Sequence, residues 1–440
     1  VITAILGAER YSECAAGSYE AYLSLGPTSS FGESLSAVVD WVGVAEVLIL
    51  GETIGDDLPI PGHRLPRAVP RLDVPPPVET FAGSAAEAMH TCDALIRDVI
   101  SAAPADWEFD LGLSGGRDSR HLLLAAQATG RRIAGCVTAQ HWNPDSSNAD
   151  VQAAGMLAHA LDLSVDVVPQ VGDRFLAQWN KNRILGLRTR NHSWVLPMAA
   201  HLGARRPLID GVNGGNMFGR DSLTMSWLSK NGFTRPTPEQ AVDHVIQQKF
   251  TTARRRMKGW LTSPRLSREI WQETRQRIVD RFTRYLDYPN PFQAWSCLEH
   301  TANGIALAPY VLMDNDRVLC PYFDPTVVTF GLSLPWEISA NPDFQQQMLT
   351  DIYPKVAHIP YSHEIRQAAP PLQFDAVSEA QSWAHILHEV SGHVHESAFN
   401  AEGPRPDGIH GNRRLVLLAQ ALRWERQGRP SDLWLEQSNV

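Results

Sequence analysis

The stretch "EFDLGLSGGRDSRHLLLAAQATG", residues 108–130, decides the fold. An apolar run, Phe109 to Leu113, breaks at Ser114-Gly115-Gly116 and passes through Arg117-Asp118-Ser119-Arg120. It then becomes an apolar periodic segment ending on Gly130. The flanks repeat the alternation. "VETFAGSAAEAMHTCDALIRDVISAA" reads as a helix before it, "RRIAGCVTA" as a second strand, "NADVQAAGMLAHALDL" as a helix and "SVDVVPQ" as a third strand. Strands and helices alternating at this spacing predict an α/β fold, a parallel sheet with helices on both faces. Near-continuous apolar strands predict burial from both sides.

In such a sheet, ligands bind beyond the carboxyl ends of the strands, where Leu113 and Ser114 to Ser119 fall. Gly115 and Gly116 lack side chains, so backbone N–H groups there can approach an anion. A helix starting at Asp118 or Ser119 would point its positive dipole end at the same place. Ser114 and Ser119 add hydroxyls. Asp118 would repel phosphate unless a divalent cation stood between them, and Mg²⁺ is the natural one. The expectation is a Mg²⁺-pyrophosphate cradle with Asp118 as metal ligand. Neither a Walker loop nor a GxGxxG fingerprint occurs at this turn.

"LSGGRDSR" resembles the SGGxDS pyrophosphate loop of the adenine-nucleotide alpha-hydrolase-like ATP pyrophosphatases, and most of all the synthetase domain of the asparagine synthetase family. "QHWNPDSSNADVQAAGMLAHALDL" is similar to that family's loop and helix after the second strand. "DGVNGGNMFG" stands where the family has S-G-[DE]-G-x-D-E-L-F-G. "VLCPYFDPTVVTFGLSLPWEI" resembles its R-x-P-F-L-D block, and "LGETIGDDLPIPGHRLPRAVPRLDV" its junction between glutaminase and synthetase domains. The resemblance spans roughly residues 20–365 and implies cleavage of ATP between its α- and β-phosphates. A carboxylate would be activated as an acyl-adenylate, and an amine would displace AMP to form an amide. It implies ATP and Mg²⁺ as cofactors. Leu113, Ser114, Gly115, Gly116, Asp118 and Ser119 would be phosphate and metal contacts, and Asp210 and Gly211 would line the adenosine.

The family pattern is also broken. Its acids fall on Val212, Gly215 and Asn216, and its lysine aligns near Ser362, with Lys355 and His358 close by. No catalytic acid or base is thereby assigned. Arg117 and Arg120 replace the commoner Leu and Ser, either as phosphate contacts or, for Arg120, as a solvated helix residue. The family's N-terminal nucleophilic Cys has no counterpart, since the first residue is Val1 and the first cysteine Cys14. That is expected of a truncated or processed product, or of a protein that never used glutamine. The substrate is then a small-molecule or peptide carboxylate and the amine donor is unassigned. A separate amidotransferase or a precursor peptide enters as partner, as in beta-lactam synthetases and lasso-peptide macrolactam cyclases. A degenerate, non-catalytic nucleotide-binding protein is the reading from another class.

Bulk properties narrow the rest. With 440 residues, 43% hydrophobic and 20% charged, the chain has the composition of a globular protein. A net charge of −9 argues against a nucleic-acid partner. "TTARRRMKG" (251–259) reads as a solvated helix face. No apolar run approaches the ~18 residues of a membrane span, and "VITAIL" is too short for a signal peptide. Five scattered cysteines without a CxxC pair suit reduced thiols in a cytoplasm. The proline-rich 55–78 is expected to join a glutaminase-like remnant of short strands, turns and the helix "SLSAVVDWVGVAEVLILG" (1–77) to the ATP-binding domain (78–440). After "RRPLIDGVNGGNMFG" (205–219) the chain reads as mostly helical to about 310, with a loop at 403–412 before an amphipathic helix, "RRLVLLAQALRWERQG". "HILHEVSGHVHE" (385–396) imitates HExxH but has Gly392 where the second histidine belongs, and reads as a polar helix end. The 13 tryptophans read as core.

Overall fold

The computed structural model describes residues 39–55, 58–72, 79–141, 147–170, 172–203, 206–218, 221–260, 264–365, 375–393 and 409–427. The strands and turns expected before residue 39 lie outside the described residues, as does Cys14. Among the described residues, five strands make one all-parallel sheet in the order β3-β2-β1-β4-β5. They are β1 (Phe109–Gly112), β2 (Ile133–Gln140), β3 (Val165–Pro169), β4 (Leu208–Ile209) and β5 (Val318–Leu319). The chain runs outward from β1 to β2 and β3, then returns to the other side of β1 for β4 and β5. The order therefore reverses between β1 and β4, the place where a parallel sheet opens a crevice beyond its carboxyl ends.

Helices cover both faces. On one, Phe109, Leu111, Leu113 and Ile209 pack with α2 (Ala85–Ala102), α3 (Arg117–Ala128) and α4 (Ser147–Ala160). On the other, Val137, Ala139, Val168 and Leu208 pack with the end of α5 (Arg174–Leu185), with α6 (Val195–Leu202) and with residues 307–313. The period of two in β1 sends Phe109 and Leu111 to the first face and leaves Asp110 and Gly112 on the second. The expectation of doubly buried strands fails at β3. It is one of the sheet's two edge strands, and Asp166 and Val167 face solvent there.

α1 (Trp41–Leu50) is apolar nearly all round and every residue is buried. Asp40 caps its start, and Gly51, at φ 99°, ends it in the left-handed conformation. Its core partners are α5, the helix Ala376–Val390 and the helix Ile409–Gln427. Residues on both sides of the expected 77/78 boundary thus share one core, since α1 supplies the face those helices bury against.

The last helix is not amphipathic as expected: Arg414 through Leu422 are all buried. Its polar positions are satisfied inside, with Arg414 donating to the Leu48 carbonyl at 2.8 Å and Gln420 donating to the Trp179 carbonyl at 3.0 Å. It begins at Ile409, inside the expected loop. The "TTARRRMKG" segment belongs to the helix Pro238–Trp260, but its side chains lie outside the described residues. Among the described residues no helix is long and apolar enough to cross a membrane, and Cys92, Cys136, Cys297 and Cys320 are buried, unpaired thiols.

Candidate nucleotide site

A cavity of about 370 Å³ opens at the carboxyl ends of β1, β2 and β4. Leu113, Ser114, Asp118, Ser119, Asp210 and Gly211 all line it, together with Gly112, Val212, Thr138, His141, Asp150 and Trp194. Gly115 and Gly116 stand behind the lining and shape the turn. Its lining combines three carboxylates, Asp118, Asp150 and Asp210, with Trp194 and the apolar side chains of Val137, Ala139, Val195, Met198, Ala308, Pro309 and Met313. The wall at 308–313 comes from a π-helical segment, Ala308–Leu312. Among the described residues most tryptophans are core, as expected, while half-buried Trp194 lines the cavity.

α3 begins at Arg117, one residue before the earliest expected start, because the chain turns at Gly115-Gly116 and Gly116 is the N-cap. No side chain caps it, so its first-turn N–H groups keep their capacity for an anion. The serines close the loop on itself. Ser119 Oγ accepts the Ser114 N–H at 3.0 Å and shares a hydrogen bond with Ser114 Oγ at 3.1 Å, while the Gly116 N–H donates to Ser114 Oγ at 3.2 Å. Gly115 is irreplaceable for lack of room. A Cβ there would lie 2.6 Å from Ser362 Cβ, 2.8 Å from Asp150 Oδ1 and 2.9 Å from Ala153 Cβ. Gly115→Ala is therefore expected to cost about 1–3 kcal/mol in urea unfolding. Adding Ser362→Gly should recover only part of that, because Asp150 and Ala153 still obstruct; full recovery would contradict the packing described.

Asp118 is held from two sides. Its Oδ2 accepts the Gly215 N–H at 3.0 Å and its Oδ1 accepts Gln345 Nε2 at 2.7 Å. A Cβ at Gly214 would sit 2.6 Å from Asp118 Cγ, and one at Gly211 3.1 Å from Asp118 Cβ, so both glycines clear space for this carboxylate. Asp210 accepts the Val212 N–H at 2.8 Å. Burial raises its pKa to about 6, and the negative charge of Asp118 adds to the rise against the Val212 hydrogen bond. Burial likewise raises Asp150, opposed by hydrogen bonds from the Ser362 side chain and the Gly115 backbone. Two carboxylates kept in mutual repulsion in one cavity suit a divalent cation that takes its remaining ligands from phosphate and water. Asp118 and Asp210 could hold such an ion. Among the described residues there is no cluster of three or more His, Cys, Asp or Glu side chains that would hold one without a substrate.

The Asp210 shift has a stability consequence. From about pH 4 to about pH 6 the folded protein keeps a proton that the unfolded chain has lost, so stability falls as pH rises through that window. Asp210→Asn should flatten the slope and gain about 1–3 kcal/mol at pH 7 relative to wild type, while changing little at pH 3.5. Urea midpoints at both pH values check this; equal wild-type and variant slopes would contradict it.

Neither expectation for Arg120 holds. It is buried, donates to the carbonyls of Ile359 and Pro360 at 2.7 and 2.8 Å, and lies 3.8 Å from the centroid of the Tyr361 ring. Arg117 donates to the Pro342 carbonyl at 2.9 Å and to Gln346. Both guanidiniums tie the 342–361 segment to the loop, which brings Ser362 against Gly115 (Ser362 N–H to Gly115 carbonyl, 3.0 Å). Lys355 and His358 are exposed and do not line the cavity. Of the positions where the family has acids, Gly215 serves Asp118 through its N–H, Asn216 donates to Thr301 at 2.9 Å, and Val212 is an apolar lining residue. Glu389 of the zinc-like segment is engaged by Arg423 at 3.6 Å, by Arg426, and by His385 at 3.5 Å. Residues 394–396 of that segment lie outside the described residues.

Sequence reading missed Asp150, His141 and Trp194. It also missed a buried chain beneath Asp118. Gln345 Nε2 donates both to Asp118 and, at 3.2 Å, to Tyr322 Oη. Tyr322 Oη lies 2.6 Å from His121 Nδ1, and His121 Nε2 lies 3.0 Å from Asp93 Oδ1. Since Asp93 can only accept when ionised, His121 donates from Nε2 and accepts the Tyr322 hydroxyl proton at Nδ1. His121 directly follows the loop in sequence, but nothing local signals that its partners are Asp93 and Tyr322. No family model matches this chain, and no curated protein matches it.

Proposed function

We propose that this chain is an ATP- and Mg²⁺-dependent carbon-nitrogen ligase of the asparagine synthetase type, with an adenine-nucleotide alpha-hydrolase-like fold. The observation that carries this reading is a cavity lined by both carboxylates and apolar side chains at the point where the strand order reverses. A purine fits against Trp194, Met198 and Met313. The α- to γ-phosphates run toward the uncapped start of α3 and the Ser114–Ser119 loop. Asp118 and Asp210 would hold Mg²⁺, which when bound neutralises the charge growing on pyrophosphate. A substrate carboxylate oxygen attacks the α-phosphorus, the bond to the bridging oxygen breaks, and pyrophosphate leaves. An amine then displaces AMP from the acyl group, losing a proton as the amide forms. His141, which burial and then the nearby Arg413 charge lower to about 4, is neutral at pH 7. It therefore offers a hydrogen bond, not a charge.

A binding-only protein is the second reading. It is favoured by Val212, Gly215, Asn216 and Ser362, none of which can move a proton as the family's acids and lysine would. The test is pyrophosphate and AMP release from MgATP with panels of carboxylates and amines, beside calorimetric titration of MgATP. Binding with release supports the ligase, binding without release under any substrate supports the second reading, and no binding overturns both.

A further inference from the structure

Both carboxylate oxygens of Asp118 are fixed, and each is fixed from outside the cavity. Oδ1 is held by Gln345 and the buried chain beneath it. Oδ2 accepts the Gly215 N–H at 3.0 Å. That donor sits on a turn whose residues 214 and 215 are both glycine, so they bring no side chain that could pin it. What keeps the turn against Asp118 has to come from its flanks.

Both flanks end on one side chain. Thr301 is fully buried, and its Oγ1 accepts Asn216 Nδ2 at 2.9 Å. The same hydroxyl donates to Asn213 Oδ1 at 3.0 Å and to the Ser296 carbonyl at 2.9 Å, one proton shared between two acceptors. Asn213 has φ 80°, a left-handed backbone that asparagine tolerates better than most residues. Its Nδ2 donates to the Tyr322 carbonyl at 3.1 Å, which leaves Oδ1 for Thr301.

Thr301 is itself anchored. It belongs to the π-helical segment Ser296–Ile305, a rare geometry that occurs often at functional sites. Two residues before it, Glu299 is fully buried and pairs with Arg281. Glu299 also accepts the Gly55 N–H at 3.0 Å, the Tyr285 hydroxyl at 2.5 Å and Asn303 Nδ2 at 2.8 Å. A buried network satisfied to this degree is rigid. The segment is a strut.

We propose that Thr301 is a positioning residue for Asp118: by bonding Asn213 and Asn216 it holds the Gly215 N–H against Oδ2 and fixes the carboxylate's orientation. The two positions where the family has acids thus serve the loop acid, Gly215 through its N–H and Asn216 through Thr301. The consequence for nucleotide rests on the ligase reading, in which Asp118 holds Mg²⁺.

Thr301→Val keeps the shape of the side chain and removes its hydroxyl. In the full chain, hydrogen exchange followed by mass spectrometry is expected to accelerate about tenfold in a peptide covering 211–218. Exchange in a peptide covering β1 should not change. MgATP affinity by calorimetry, at a temperature where the variant is fully folded, should weaken about 5- to 20-fold. Thr301→Ser keeps the hydroxyl and should return both readouts close to wild type. Asn216→Ala, at a half-buried position, removes one arm of the network and serves should Thr301→Val fail to fold. It should move both readouts in the same direction, by less. Unchanged exchange at 211–218, equal acceleration in β1, or no rescue by Thr301→Ser overturns the positioning role. Faster exchange with unchanged MgATP affinity also overturns it, since the turn would then not set Asp118. A wild-type chain that binds no MgATP overturns the ligase reading, and the exchange arm then still decides whether Thr301 fixes the Gly215 N–H.

Discussion

Asp118→Asn is expected to keep the fold and to lower MgATP-dependent pyrophosphate release by about 100- to 1,000-fold, the scale of losing one dedicated charge-stabilising group. The stability side follows from the contacts. Asparagine retains one oxygen for the Gly215 N–H, but its amide nitrogen then faces the Gln345 amide nitrogen, donor against donor. Gln345 can answer by turning its amide, because its Oε1 is buried and without a partner and can accept the new N–H. The turn withdraws Nε2 from Tyr322 Oη, so the net cost should be about one hydrogen bond, roughly 1 kcal/mol. The catalytic side has no such remedy, since a neutral amide is a poor ligand for Mg²⁺. A second readout separates the two. Without the Asp118 charge, one of the causes raising Asp210 is gone, and its ionisation should move down toward the ordinary carboxylate range. A variant that releases pyrophosphate at the wild-type rate would remove Asp118 from the metal-binding role.

The β1–loop–α3 unit was legible because its signals are local: alternation to Leu113, two glycines at the turn, then helical periodicity. The same holds for β2, α4 and β3, whose alternation along the chain predicted a parallel sheet. Arg120 was not legible. Its partners at 359 and 360 lie 239 and 240 residues away, and a cation in the first turn of a helix looks alike in sequence whether solvated or buried. α1 was seen as a helix, but no local signal says that a largely apolar helix will pair with residues near 415. The edge position of β3 is set by which strands arrive later, so its exposed Val167 could not be foreseen. At the site, the loop announced itself through Ser114, Gly115, Gly116, Asp118 and Ser119, five residues within one short turn. Asp150, His141 and Trp194 come one by one from other elements, and converge only once the sheet is ordered.

His121→Leu is expected to be among the most damaging single changes in the chain, costing about 3–5 kcal/mol. His121 and Asp93 are both fully buried. Burial works to raise Asp93, yet hydrogen bonds from His121 and Tyr353, with the charge of Arg97, hold its carboxyl below the ordinary value. Leucine fills much of the imidazole volume, so the loss is polar and not a cavity. Asp93 keeps Tyr353 at 2.5 Å and the Arg97 ion pair at 2.8 Å but loses its His121 donor, while the Tyr322 hydroxyl loses its acceptor. Asp93→Asn in the same background removes the underpaired charge, so the double variant should unfold at higher urea than His121→Leu alone. The cycle should show a coupling of about 1–3 kcal/mol. The effect also reaches the site. Tyr322 Oη anchors Gln345, and Gln345 fixes one oxygen of Asp118, so a freed Tyr322 lets that carboxylate rotate. His121 is thus a positioning residue. Beyond the stability loss, which denaturant curves report, the apparent MgATP affinity should weaken at temperatures where the variant is fully folded. Tyr322→Phe breaks the same chain without disturbing Asp93, and should weaken MgATP binding in the same direction at a much smaller cost in stability. Unchanged MgATP affinity in both variants would confine the Asp93–His121–Tyr322 chain to a packing role.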